Sequence, residues 1–180
     1  IAGRLRFGSG ELGSFTNGAL TVQGQLIARG GDVVLIAPNL ELAQTAVLEA
    51  RDGSVLLAAG RSVDITGRGL EGITLQVQAP TDQALNLGSL TGDAVGIFAG
   101  TLRHSGMIRA TTTSMEGGRV VLKAAEDAYV EGHGKIIATG TVGGNVDVLG
   151  NRVALTQQAQ IDVSGDHGGG KVRIGGDLRG

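Results

Sequence analysis

Apolar and polar residues alternate in short bursts along this chain, and one phrase keeps returning: roughly Gly-x-Val-x-Leu-x-Ala, closed by Pro or Gly. The clearest copies are GDVVLIAP from Gly31, GSVLLAAG from Gly53, ITLQVQAP from Ile73, DAVGIFAG from Asp93, GRVVLKAA from Gly118, GNVDVLGN from Gly144 and GKVRIGGD from Gly170. A weaker copy, GRLRFGSG, begins at Gly3. A period of two predicts strands with two unlike faces, whereas a helix would repeat near 3.6. Later in many copies come two further short runs, such as Leu40–Leu42 with Val47–Ala50, Ala128–Val130 with Ile136–Ala138, and Val153–Leu155 with Ile161–Val163. Each repeat therefore predicts three short strands, bent apart by glycine and asparagine clusters that accept the corners of tight turns. No stretch shows a capped helical face.

A unit of this size cannot bury its apolar side chains alone, but coiling successive units stacks each strand on its counterpart. The predicted fold is all-β, a right-handed parallel β-helix of about eight rungs with 20 to 28 residues each. One such segment would fill residues 1–180 as part of a longer protein, with 1–30 as an irregular first rung or cap. Stacking makes a checkable demand: inward positions should match while outward ones vary. The first inward column reads Leu5, Val33, Val55, Leu75, Val95, Val120, Val146, Val172, and the second reads Phe7, Leu35, Leu57, Val77, Ile97, Leu122, Val148, Ile174. A small third position follows at the corner: Ser9, Ala37, Ala59, Ala79, Ala99, Ala124, Gly150, Gly176. The outward column between the inward ones is mixed: Arg6, Val34, Leu56, Gln76, Gly96, Val121, Asp147, Arg173.

Composition agrees with a solenoid and excludes several alternatives. Glycine contributes 33 of 180 residues, without the every-third spacing of collagen, and three Phe with one Tyr rule out a core built on aromatics. A formal net charge of -2 gives no basic footprint for nucleic acid. Without cysteine there is neither a disulfide nor a thiolate metal site. No apolar run approaches a membrane-spanning length. The chain opens on Ile1 with no signal-peptide pattern, which predicts a mature piece or an excised fragment.

Motifs with chemical meaning mostly dissolve in this context. Gly67, Gly69 and Gly72 fit the spacing of a dinucleotide loop, and Gly165–Lys171 imitates a phosphate loop, yet each leads into a strand where the chemistry needs a helix N-terminus. Tandem calcium-binding nonapeptides are present only as fragments. His104, His133 and His167 form no metal-ligand spacing and read as exposed turn residues. Asp64, Asp147, Asp162, Glu41 and Glu49 do not gather as the paired carboxyls of a glycosidase. Asp147 is expected in register with Arg173 as an ordinary surface pair, and Glu49, Arg109 and Asp162 should share the outward position of the third strand. No catalytic residue, metal or cofactor is therefore predicted. The outward feature that is not bland is an apolar stripe of Val34, Ile36, Leu56, Phe98, Val121 and Leu149, expected to be covered by another segment, such as Glu11–Asn17 or flanking chain, or to dock a partner.

The phrases GGDVVLIAPNLEL, AVLEARDGSVLLAAGRSVDI and SGMIRATTTSMEGGRVVLKA resemble the filamentous haemagglutinin family of two-partner secreted adhesins, over about residues 20–180. The resemblance implies a large bacterial exoprotein that is passed through the outer membrane by a barrel transporter and folds outside as a right-handed β-helix shaft. It further implies a secreted, cell-surface location and contact with host cells or glycans. The family's secretion motif, Asn-Pro-Asn-Gly, is not matched by Ala37-Pro38-Asn39-Leu40, so the fragment is expected downstream of it. The other readings of a β-helix are an enzyme acting on polysaccharide and the stalk of a contact-dependent toxin exoprotein.

Overall fold

The structure, a computed structural model, describes residues 4–7, 18–60, 62–66, 73–76, 82–112 and 114–176. Every regular element among them is a strand. After β1 (Arg4–Phe7) come β2 (Ala19–Val22), β3 (Gln25–Arg29), β4 (Val33–Ala37), β5 (Asn39–Leu42) and the long β6 (Val47–Ala59). A pair follows, β7 (Ser62–Thr66) and β8 (Ile73–Gln76), before β9 (Gln83–Asn86) and a second long strand, β10 (Ser89–Ala99). The rest are β11 (Thr101–His104), β12 (Met107–Ala110), β13 (Arg119–Ala124), β14 (Asp127–Val130), β15 (Lys135–Ile137), β16 (Asn145–Leu149), β17 (Arg152–Leu155), β18 (Gln160–Asp162) and β19 (Lys171–Gly175).

Among the described residues, all pairings outside β1, β7 and β8 are parallel, apart from one isolated antiparallel bridge, Thr111 with Gly117. They build two curled sheets, one of ten strands and one of six. In the larger sheet β6 and β10 each run through two faces, so the third strand of one pass of the chain continues into the first strand of the next. The smaller sheet stacks β2, β5, β9, β11, β14 and β17 in that order. This arrangement is consistent with a parallel β-solenoid: among the described residues six strands stack on each of three faces, with a height of roughly 24 Å between first and last.

The inward columns hold as predicted where the strands join the stack. Val33, Val55, Val95, Val120, Val146 and Val172 are paired in that order, and so are Leu35, Leu57, Ile97, Leu122, Val148 and Ile174. Their middle members are buried, as are the corner alanines Ala37, Ala59, Ala99 and Ala124. The third face contributes Leu48, Leu90, Ile108 and Ile136, all buried in one contiguous core.

Of the eight strands predicted for the first column, two lie elsewhere. The strands holding Leu5 and Leu75 belong with β7 to a separate antiparallel sheet, ordered β1-β7-β8, in which Leu5 faces Ile65 and Val63 faces Leu75. The outward assignments of Arg6 and Gln76 fall with them. Val55 pairs directly with Val95, so the chain leaves the stack after Gly60, forms β7 and β8, and returns at Asp82. Alternation alone does not separate these cases, because a period of two serves antiparallel and parallel strands equally. The corner is closed without the excursion: Gln83 N–H donates to Pro38 O, and Thr101 N–H donates to Asp82 O. Ser9, Val77, Ala79, Glu11–Asn17 and the glycines of the dinucleotide-like spacing lie outside the described residues.

The glycines that open the last three repeats have a packing cause. A Cβ on Gly118, Gly144 or Gly170 would press into the backbone oxygen of the corner beneath it: Asp93, Gly118 and Gly144, respectively. The strands stack at a spacing that leaves no room there. Gly144→Ala should therefore destabilise the protein by about 2 kcal/mol or more, while Gly168→Ala, where a Cβ meets nothing within 4 Å, should leave the urea midpoint nearly unchanged.

Candidate functional site

The six residues of the expected apolar stripe fall in two neighbouring outward columns. Val34, Leu56 and Val121 share one with Gly96, Asp147 and Arg173. Ile36, Phe98 and Leu149 share the other with Ala58 and Lys123. Leu56, Ala58, Phe98 and Val121 are buried although they alternate with the inward residues, whereas Val34 is exposed and Ile36 and Leu149 are half-buried. Only the two ends of the stripe meet solvent.

At its C-terminal end the first of these columns becomes charged. Asp147 continues the line from Val121 and is itself buried. Arg173, one strand on, grips it with two parallel hydrogen bonds, Nε to Oδ1 at 2.6 Å and Nη2 to Oδ2 at 2.8 Å. This bond and the charge of Asp147 raise the Arg173 pKa above its ordinary value. The pair departs from the expectation of an ordinary surface contact, since a bidentate fork on a desolvated carboxylate is among the stronger protein hydrogen bonds. Arg119 approaches the same carboxylate at 3.9 Å. Together with Asn145 and Lys171 these residues line an open cleft of about 400 Å³, with three cations around one carboxylate.

The other carboxylates singled out in the sequence are dispersed. Glu41 lies on the six-stranded sheet, with Glu49 and Asp162 at outward positions of the third face. Glu49, Arg109 and Asp162 do share one column, separated by Thr91 and Ile137. Glu49 pairs with Arg51, and Asp162 accepts hydrogen bonds from the Ser164 hydroxyl and amide that hold its pKa below the usual carboxylate range. Asp64 belongs to β7 in the antiparallel sheet. On the six-stranded face Arg152 holds Asp127 with bonds of 2.6 and 2.7 Å, Tyr129 donates to Asp127, and Arg103 lies 4.6 Å over the Tyr129 ring while binding Glu131. Among the described residues no group of three or more His, Asp or Glu is placed to hold a metal ion, and no helix is long and apolar enough to cross a membrane.

One feature escaped the reading of the sequence. His104 is not a turn residue but sits fully buried on the inner side of β11. It occupies the column of Leu42, Asn86, Val130 and Leu155. The Asn86 amide nitrogen lies 3.1 Å from His104 Nδ1, and Asn86 Oδ1 accepts the Gly88 N–H at 3.0 Å. An amide nitrogen only donates, so Nδ1 accepts, Nε2 carries the proton, and Nε2 donates to the Lys135 carbonyl at 3.2 Å. The polar pair is thereby satisfied inside an apolar column. Asn86 at the matching position one strand earlier is the signal that was available. His133 and His167 are exposed, as expected.

Comparison of this chain with models of known protein families, with curated proteins and with solved structures finds no match.

Burial lowers the pKa of His104 from its ordinary 6.5 to about 4, with the hydrogen bond to Lys135 opposing the shift. As pH falls, the unfolded chain takes up this proton before the folded one does. The stabilisation is therefore complete above pH 6.5 and is lost progressively between about 6.5 and 4, by on the order of 3 kcal/mol in all. Replacing the pair together, Asn86→Leu with His104→Leu, should flatten the slope of urea stability against pH across that window.

Proposed function

We propose that this chain is a non-enzymatic shaft segment of a bacterial cell-surface exoprotein of the filamentous haemagglutinin type, whose outward face also serves as a contact surface. The observation that carries the reading is the stack itself: the apolar inward columns of the first face run unbroken through six parallel strands, while the outward positions change character from one strand to the next. Such a stack resists load through its ladders of hydrogen bonds and presents long faces without needing a catalytic centre. Ordered phrases such as GGDVVLIAPNLEL, which forms β4 and β5, support the family reading. On that reading the coil winds to the right, continues as further rungs of a longer secreted protein, and reaches the cell surface through an outer-membrane barrel transporter.

Contact with host cells or their glycans would use the exposed parts of the first face. These are Val34 at one end, and Leu149 with the cationic cleft of Lys171 and Arg173 at the other. Weak contacts spread over such a face gain by display in many copies. Fragment immobilised at high density should therefore retain cells or glycans better than soluble protein competes for them. Val34→Glu combined with Lys171→Glu should lower retention by about threefold or more with unchanged melting. Release of reducing ends or unsaturated sugars from any polysaccharide, abolished by Asp147→Asn or Asp162→Asn, would overturn the reading in favour of an enzyme.

A further inference from the structure

Among the described residues, apolar side chains that point out of the stack are buried on its first face alone. There Leu56 is 3% exposed, Phe98 7% and Val121 8%, and Ala58 and Gly96 beside them are buried as well. A stacked sheet does not bury its own outward side. On the other two faces Leu85 and Ile137 are only half-buried although they are apolar, and Glu41, Arg103 and Arg109 are exposed. Something therefore lies over the first face. It is centred on β6 and β10, because burial fades to Val34 at 40% on one side and to exposed Lys123 and half-buried Leu149 on the other. Asp147, one strand beyond Val121, is held by Arg173 and approached by Arg119.

We propose that the cover is the antiparallel sheet of β1, β7 and β8, laid with its apolar side against the first face. Among the described residues these are the strands that take no part in the stack. Their register puts Leu5, Phe7, Val63, Ile65, Ile73 and Leu75 on one side of the sheet, with Arg6, Asp64 and Thr74 on the other. A three-stranded sheet divided in this way needs a second apolar surface to pack on. The chain leads it to one. The excursion starts after Gly60, beside the first-face end of β6, and returns at Asp82. Gly60 N–H donates to Ala37 O and Gly100 N–H donates to Asp82 O, so both ends of the excursion are fixed at the corner next to that face. Size agrees as well. Three paired strands of four or five residues measure about 14 Å each way, enough for three strands of the stack, and β6, β10 and β13 are the three that carry Leu56, Phe98 and Val121. The sheet thus closes a second, external core and shields a stripe through which bare shafts would associate side by side. Val34 and Lys171 stay in solvent at its margins. The inference goes beyond the shaft reading and does not depend on it.

The chain has no cysteine, so an introduced thiol reports on one place. Val121→Cys probes the outward side of β13 and Val120→Cys its inward side, and in the full chain both should react slowly with iodoacetamide. Joining Gly60 directly to Asp82 removes residues 61–81 and leaves two residues between β6 and β9, the number that Ala125 and Glu126 supply between β13 and β14. In this shortened chain Val121→Cys should react about tenfold faster or more, while Val120→Cys stays slow. Slow reaction at both positions would overturn the proposal and give the cover to another segment, such as Glu11–Asn17. Fast reaction at both would mean that the stack itself had opened, and the intact chain then decides. In it, nuclear Overhauser effects should join the methyl groups of Leu56 and Val121 to one or more of Val63, Ile65, Ile73 and Leu75. Absence of every such contact would equally overturn the cover.

Discussion

A strand of four or five residues has too few side chains and too few hydrogen bonds to persist alone. Here each one depends on the strand above and the strand below, which must present an apolar residue at the same inward place and a backbone in the same register. That mutual dependence explains the column of valines from Val33 to Val172 and the alanines at the first corner. It also explains Gly118, Gly144 and Gly170 before β13, β16 and β19, where the corner beneath comes too close for a Cβ. In the last strand of the first face, side chains of the same type, Val172 and Ile174, lie half in solvent.

The same constraint decides what can be read from the sequence. Stacked columns were legible because the requirement for like residues at like places leaves a periodic mark, and the marks of the first face were placed correctly for six of eight strands. The excursion between Gly60 and Asp82 was hidden because ITLQ alternates just as VVLI does, and only the partner strand distinguishes them. The spacing held a clue. Omitting Leu75 leaves 40 residues between Val55 and Val95 against 22 to 26 elsewhere, which is one repeat plus an insertion.

Polar residues were the harder part. His104 was read as solvent-facing because histidine in an apolar column is uncommon, although Asn86 in the matching place supplies the donor that makes it tolerable. The burial of Asp147 had no local signal either, since it comes from what surrounds the outward face, while its partner Arg173 was legible from register alone. The stripe residues share two columns, as register implies, but how much of them meets solvent depends on neighbours distant in sequence.

Contacts between methyl groups of successive strands test this account most directly. With selectively labelled valine and leucine, nuclear Overhauser effects should join Val55 to Val95, Val95 to Val120 and Val120 to Val146, as the register requires. Leu75 should show none to either Val55 or Val95. Strong contacts from Leu75 to both would restore the uninterrupted repeat and contradict the register on which the stack and its faces depend.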